Sequence, residues 1–264
     1  MQNRHIDRKR YFDELAKTSE EFYIDYLKPY KNIDPGCKVL EIGCGEGGNL
    51  LPFAQAGCKV AGLDLAAGKI DNARKFFATL ETEGEFACAD FLKNNPFEKD
   101  GLFDIILIHD VIEHIEPEGK DAFFERLKMY LKPDGIIFFA FPAWQMPFGG
   151  HQQICRSKVC SKVPFMHVLP VFMYKAWLKM FGEQKDKIDE LLSIKRSRMT
   201  PEKFEKLCAG HGYGIKDRIF WFFSPHYKTK FNLTPRRLWK PLARIPYLRN
   251  WFTTSCFYLI EESK

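Results

Sequence analysis

Residues 38–50 read KVLEIGCGEGGNL. The apolar run Val39, Leu40, Glu41, Ile42 breaks into glycines at Gly43, Gly45, Gly47 and Gly48, and helix-compatible residues resume over 49–56. That order specifies a buried parallel strand, a tight turn and the start of a helix. Glycine suits the turn because it accepts positive φ and lets a ligand lie directly against the backbone. Alone, such a loop fits a dinucleotide, a phosphate or no ligand. Spacing narrows the reading. A second strand, 59–63, ends in Asp64, about twenty residues past the first glycine, where a nucleotide fold places the carboxylate that binds ribose hydroxyls. The loop is G-x-G-x-G and lacks the G-x-x-G step of a dinucleotide binder, which favours a cofactor with no pyrophosphate to cradle.

Outward from this centre the chain alternates helix and strand. Residues 67–80 form a helical pattern with Ile70, Ala73, Phe76 and Phe77 on one face, and 85–89 a short strand that ends at Asp90 and Phe91. The almost wholly apolar run 103–108 predicts a strand covered on both faces. It ends in His109, Asp110, Val111, Ile112, Glu113 and His114, which puts polar side chains at the carboxyl end of a central strand, where open α/β sheets bind ligands. An amphipathic helix over 123–131, a turn at Lys132, Pro133, Asp134 and Gly135, and a fifth strand over 136–141 follow.

Before the core, Tyr11, Phe12, Leu15, Phe22, Tyr23, Tyr26 and Leu27 recur at three- and four-residue steps and predict a helical lead-in with one aromatic stripe. It reads either as a cover for the sheet or as a lid. After the core, 143–199 interrupt the pattern with a glycine- and proline-bearing aromatic loop, then an aromatic helix over 171–181; leaving from a strand end, this segment reads as a substrate cap. Thr200, Pro201 and Glu202 make a good helix start, with proline in the first turn. Strands over 215–223 and 253–261 then flank a basic, proline-broken, aromatic excursion at 228–252.

In this order VLEIGCGEGG, GLDLA, ACADF, FDIILIHDVIEHI and LKPDGIIFFAFP resemble the motif series of class I S-adenosylmethionine-dependent methyltransferases. The resemblance is strong over 37–142 and weaker over 200–262. It implies an α/β, doubly wound Rossmann-like fold: a seven-stranded, mostly parallel sheet with an antiparallel edge strand, plus a helical substrate cap. The chain would divide into a lead-in or lid (1–36), a cofactor-binding core (37–142), a cap (143–199) and a C-terminal helix with the last two strands (200–264). It also implies S-adenosyl-L-methionine as cofactor, with S-adenosylhomocysteine as product. Glu41, Gly43, Cys44 and Gly45 would form its loop, with Gly43 and Gly45 against the methionine part. Asp64 would meet the ribose beside Leu65, Asp90 the adenine amino group, and Phe91 would back the ring. His109 would meet the methionine part through its backbone.

Methyl transfer from a sulfonium is an in-line displacement, so the protein supplies position and, for an oxygen acceptor, a base. No metal is expected. His151, in the loop held by Pro147, Gly149 and Gly150, is the first candidate base, and related small-molecule O-methyltransferases often use a histidine from this neighbourhood. A histidine near its ordinary pKa suits removal of a hydroxyl proton. His114 is the second candidate, and His167, His211 and His226 read as structural or surface residues. The Asn/Asp-Pro-Pro-Tyr/Phe tetrad of amino-methylating nucleic-acid enzymes is absent; His109, Asp110, Val111 and Ile112 stand there.

Charge adds a second theme. The net charge is +6, but residues 1–142 hold 18 Lys+Arg against 25 Asp+Glu, and 143–264 hold 22 against 9. A basic half favours an anionic partner. Arg and Lys beside Trp239, Trp251 and Phe252 would suit single-stranded RNA or an anionic membrane surface. The expectation is a small-molecule acceptor, anionic or lipophilic, methylated at oxygen; RNA or protein methylation and an idle cofactor-binding fold are the alternatives. The eight cysteines show no CxxC pair, the N-terminus reads as charged rather than as a secretory signal, and no apolar run reaches the roughly twenty residues of a membrane span, so a cytoplasmic protein is expected.

Overall fold

The computed structural model describes residues 7–94, 96–97 and 101–263. Residues 1–6 of the expected lead-in and Lys264 lie outside that range. Eight strands form one sheet: β1 (Lys38–Ile42), β2 (Lys59–Asp64), β3 (Glu85–Cys88), β4 (Phe103–His109), β5 (Leu131–Phe141), β6 (Tyr213–Phe223), β7 (Arg236–Arg237) and β8 (Ser255–Glu262). Their order is β3-β2-β1-β4-β5-β8-β6-β7. β1 to β5 pair in parallel, whereas β8 runs antiparallel to both β5 and β6, and β7 pairs antiparallel with β6.

Ten helices accompany the strands among the described residues: α1 (Arg8–Thr18), α2 (Ile24–Leu27), α3 (Leu51–Gln55), α4 (Ala67–Thr79), α5 (Lys120–Leu127), α6 (Val171–Met180), α7 (Lys185–Ser197), α8 (Pro201–Gly210), α9 (His226–Phe231) and α10 (Lys240–Ala243). A π-helical turn, Ser19–Tyr23, joins α1 to α2. Asp7 caps α1 by accepting from the Arg10 amide, and Thr200 caps α8 by accepting from the Lys203 amide.

The unbroken apolar runs follow from a sheet covered on both faces. Leu40, Ile42, Ile106 and Ile108 pack on one side with Phe204 and Tyr258. Val39, Ile105 and Leu107 pack on the other with Phe12 and Phe257. Each such side chain stabilises the fold by about 1.5–3 kcal/mol relative to exposure. A third, smaller core of Cys155, Cys160, Tyr174, Leu178, Ile188 and Leu191 lies within residues 143–199.

Three expectations are corrected. The sheet has eight strands rather than seven, because the two-residue β7 adds an edge too short for any periodicity to signal. Residues 132–135 belong to β5 rather than to a separate turn: Phe103 pairs with Leu131 and Ile105 with Ile136, so the intervening residues bulge and rejoin the ladder. α5 starts and stops earlier than expected, at Lys120 and Leu127, with Tyr130 already packed into the core.

Strand order reverses between β1 and β4. Their following loops therefore open side by side at the carboxyl end of the sheet, the place where such folds bind ligands.

Candidate active site

The loop after β1 is a set of left-handed turns. Gly43, Gly45 and Gly47 have φ of 75°, 55° and 81°. A Cβ on Gly43 would stand 2.4 Å from Val111 Cγ2, whereas one on Gly45 would meet nothing within 4 Å, so the loop is packed behind Gly43 and open at Gly45. Asp64, at the end of β2, accepts from the Gly45 amide at 3.0 Å through Oδ2 and from the Ala66 amide at 2.9 Å through Oδ1. Its neighbour Leu65 is 72% exposed, an apolar side chain left standing beside a buried carboxylate. Cys44 turns its thiol inward beneath Gly62, so only its backbone belongs to the open face.

Glu41 is buried in β1, accepts from Asn49 Nδ2 at 2.6 Å, and leaves Oε2 without a partner. Burial pushes its carboxyl up to about 8, against the opposing hydrogen bond from Asn49. Asp90 accepts from the Leu92 amide at 3.0 Å and pairs with Lys93 at 3.1 Å. Phe91 is turned into the core against Phe123 and Tyr130, so its ring is not on the open face.

The lead-in lies directly on the glycine loop. A Cβ on Gly48 would stand 2.6 Å from the Phe12 carbonyl oxygen, so a bare glycine is what lets α1 approach. Arg8 pairs with the buried Glu46, and Ser19 Oγ donates to the Asn49 carbonyl at 2.7 Å. Tyr23 carries this segment to the strand end: its ring lies 5.9 Å from that of His109.

The loop after β4 gathers a second cluster. Asp110 has φ of 52° and His151, in the loop after β5, φ of 57°; two non-glycine residues in the left-handed region mark the site as strained. His151 Nε2 lies 3.5 Å from Glu113 Oε1, and its ring meets His114 edge-on with centroids 4.9 Å apart. Neither Glu113 oxygen has a hydrogen-bond partner. Burial pushes the Glu113 carboxyl well up and the His114 imidazole down, and burial with His114 nearby pushes His151 down to about 3. Burial thus disfavours the charged form of all three, and it makes His151 a weaker base than the histidine of ordinary pKa expected from the sequence. Ligand atoms of Glu113, His114 and His151 lie within 4.8 Å of one another, close enough to converge on a cation.

The loop after β5 owes its shape to two glycines. A Cβ on Gly149 would strike the Trp144 carbonyl oxygen at 2.2 Å, and one on Gly150 the His167 side chain at 2.2 Å. His167 Nε2 donates to the Trp144 carbonyl at 2.8 Å, and Lys195 Nζ donates to the His167 carbonyl at 2.7 Å.

The structure thus brings His114 and His151 together, sets His109 beside Asp110 and Tyr23 at the end of β4, and places Glu41, Gly43, Gly45, Asp64 and Leu65 around the neighbouring loop. Sequence reasoning placed Asp110 and Glu113 at the ligand-binding strand end without giving either a role, and did not single out Tyr23 as a site residue. Two carboxylates flanking the apolar Val111 and Ile112 were the available signal for the first two. His226, read as structural or surface, opens α9 and faces the lead-in, with its Nδ1 3.4 Å from Thr18 Oγ1 and its ring edge-on to Tyr11.

The family model for a methyltransferase domain matches residues 39–135. A ubiquinone biosynthesis O-methyltransferase of Actinobacillus pleuropneumoniae is 32% identical over 123 residues, 44% of this chain and 50% of the relative. Phosphoethanolamine N-methyltransferase 1 of Zea mays is 28% identical over 211 residues, 74% of this chain and 40% of the relative. The chain spans half or less of the length of these curated relatives. An S-adenosylmethionine-dependent methyltransferase from Clostridium acetobutylicum shares the fold, with a TM-score of 0.59, 13% identity, and 94% of this chain and 92% of that one covered. The chain carries a class I S-adenosylmethionine-dependent methyltransferase domain.

Proposed function

We propose that the protein transfers the methyl group of S-adenosylmethionine to a hydroxyl oxygen of a small, lipophilic acceptor. The observation that carries this reading is the cluster of His114, Glu113 and His151, whose ligand atoms lie within 4.8 Å of one another at the strand end beside the glycine loop. Features of the loop fit the cofactor. Gly45 leaves an open, side-chain-free backbone, and Glu41 keeps an unpartnered buried oxygen. Leu65 offers an apolar surface next to Asp64 for the adenine. In this reading Gly43 and Gly45 carry the methionine part, Asp64 the ribose, and Asp90 the adenine edge, with Leu65 taking the ring-backing role first given to Phe91. When bound, the sulfonium supplies the electrophilic methyl group.

The chain's own residues do the rest. Neutral His151 takes the acceptor's proton on its imidazole, and the Asp110 carboxylate stabilises the imidazolium that forms. Glu113 and His114 orient the ring of His151. The lead-in closes over the loop through Phe12, Arg8 and Ser19 and excludes water from it. Residues 143–199 act as the acceptor cap. The Asp110 carboxylate at the strand end disfavours an acceptor whose anionic group sits at the reacting centre, which favours the lipophilic class. The two relatives named above methylate oxygen and nitrogen respectively, so the test pairs the two: labelled S-adenosylmethionine is supplied with extracts enriched in phenols or in amines. Label in the phenol fraction, lost in His151→Ala, supports the reading, and label confined to amines overturns it.

A further inference from the structure

Two stretches of the chain carry basic residues and no acidic one: 143–182 with five and 219–260 with seven. Remote in sequence, they meet in the fold, where the Phe165 and Trp251 rings lie 5.8 Å apart. α6 turns Tyr174 and Leu178 inward onto the cap's own core. Its outer face bears Phe172 and Met180, 73% and 71% exposed, with Lys175 and Lys179 exposed among them. The excursion repeats the arrangement: Trp239 is 73% exposed beside the exposed Lys240 and Arg244. Its base is fixed, because buried Arg249 pairs with Glu202 at 3.1 Å and Glu205 at 3.2 Å.

Large apolar side chains standing in water on two segments that touch each other signal a binding surface. Here they are interleaved with cations and with no carboxylate of their own segments. That combination suits the boundary of an anionic bilayer, where aromatic and apolar side chains enter the headgroup layer and lysines and arginines meet lipid phosphates. Single-stranded RNA would instead stack its bases on aromatic rings along a basic groove; Phe172 and Met180 stand on the outward face of a helix. We propose that this face docks the protein on the surface of an anionic phospholipid bilayer, with α6 lying in the interface plane. The Phe165 amide donates to the Pro147 carbonyl at 2.7 Å, so docking sets the loop that carries His151 beside the lipid. The inference does not depend on the methyl-transfer reading.

The test is co-sedimentation of the full chain with phosphatidylcholine vesicles, with and without phosphatidylglycerol. Binding is expected only with phosphatidylglycerol, weakening as salt rises. The double variant Phe172→Asp, Trp239→Asp should bind at least about tenfold more weakly, and Lys240→Gln and Arg244→Gln about fivefold each. All four side chains are exposed, so unchanged thermal melts should accompany the losses. Failure of the native chain to bind the anionic vesicles overturns the proposal, as does binding that these variants leave intact. A native dimer that Phe172→Asp, Trp239→Asp dissociates in ultracentrifugation, without vesicle binding, would instead assign the face to a second copy of the chain.

Discussion

His151 sits in a left-handed backbone conformation with its imidazole largely buried, its side chain 19% exposed, against Glu113 and His114. Because burial pushes its pKa down to about 3, the ring stays an uncharged base throughout the physiological range. In the proposed reaction, kcat should therefore show no inflection from this group between about pH 5 and 8. A pH–rate profile checks this; a fall in rate centred near the ordinary histidine value would show that His151 titrates normally. Removing the base in His151→Ala should lower kcat by about 100- to 10,000-fold while S-adenosylmethionine binding, read by calorimetry, stays intact. The sequence made His151 legible as a residue in a rigid loop just past a strand. It did not reveal Glu113 as its neighbour, because that contact joins the β4 loop to the cap across residues no local pattern connects. The misplacement of Phe91 has a similar cause: whether a ring after a strand faces a ligand or the core depends on Phe123 and Tyr130, some thirty to forty residues away.

At the scale of elements, the glycine loop and the strands around it were legible because each carries its own signal: doubly buried runs, positive-φ glycines and a carboxylate at the next strand end. The lead-in was legible as an aromatic helix but not in its placement. Its docking on the loop rests on Gly48, where the Phe12 carbonyl leaves no space for a Cβ. Gly48→Ala should push α1 off the loop, destabilising the fold by about 1–3 kcal/mol in denaturant titrations and weakening S-adenosylmethionine binding. Gly150→Ala should act on the cap alone. The added methyl collides with His167, so His151 should be displaced and kcat should fall, with cofactor affinity unchanged. Loss of cofactor affinity in Gly150→Ala would contradict the separation of cap from loop.

At the scale of the whole molecule, buried carboxyls set the pH range of stability. Glu41 has its folded pKa raised to about 8, so its contribution is complete below the unfolded value, near 4.3, and is lost as pH rises through about 8. Asp104 works in the opposite sense. Burial pushes its carboxyl up, but Lys132, the Lys38 amide and Lys31 outweigh that and hold it low, so its contribution is present at neutral pH and lost on acidification. Melting temperatures should decline from about pH 5 towards 8, and Glu41→Gln should flatten that decline. The charge division between halves was visible in composition. The meeting of two acid-free basic stretches at Phe165 and Trp251 was not, since it is a contact made only by the folded chain.

The central claim is that the loop after β1, closed by Asp64, holds S-adenosylmethionine. The most direct measurement is calorimetric binding of S-adenosylmethionine to the native chain and to Asp64→Ala, with both shown to be folded. Micromolar binding, weakened at least tenfold or by about 1.4 kcal/mol in the variant, is the expected result. Absence of binding by the native chain, or equal binding by the two, would contradict it.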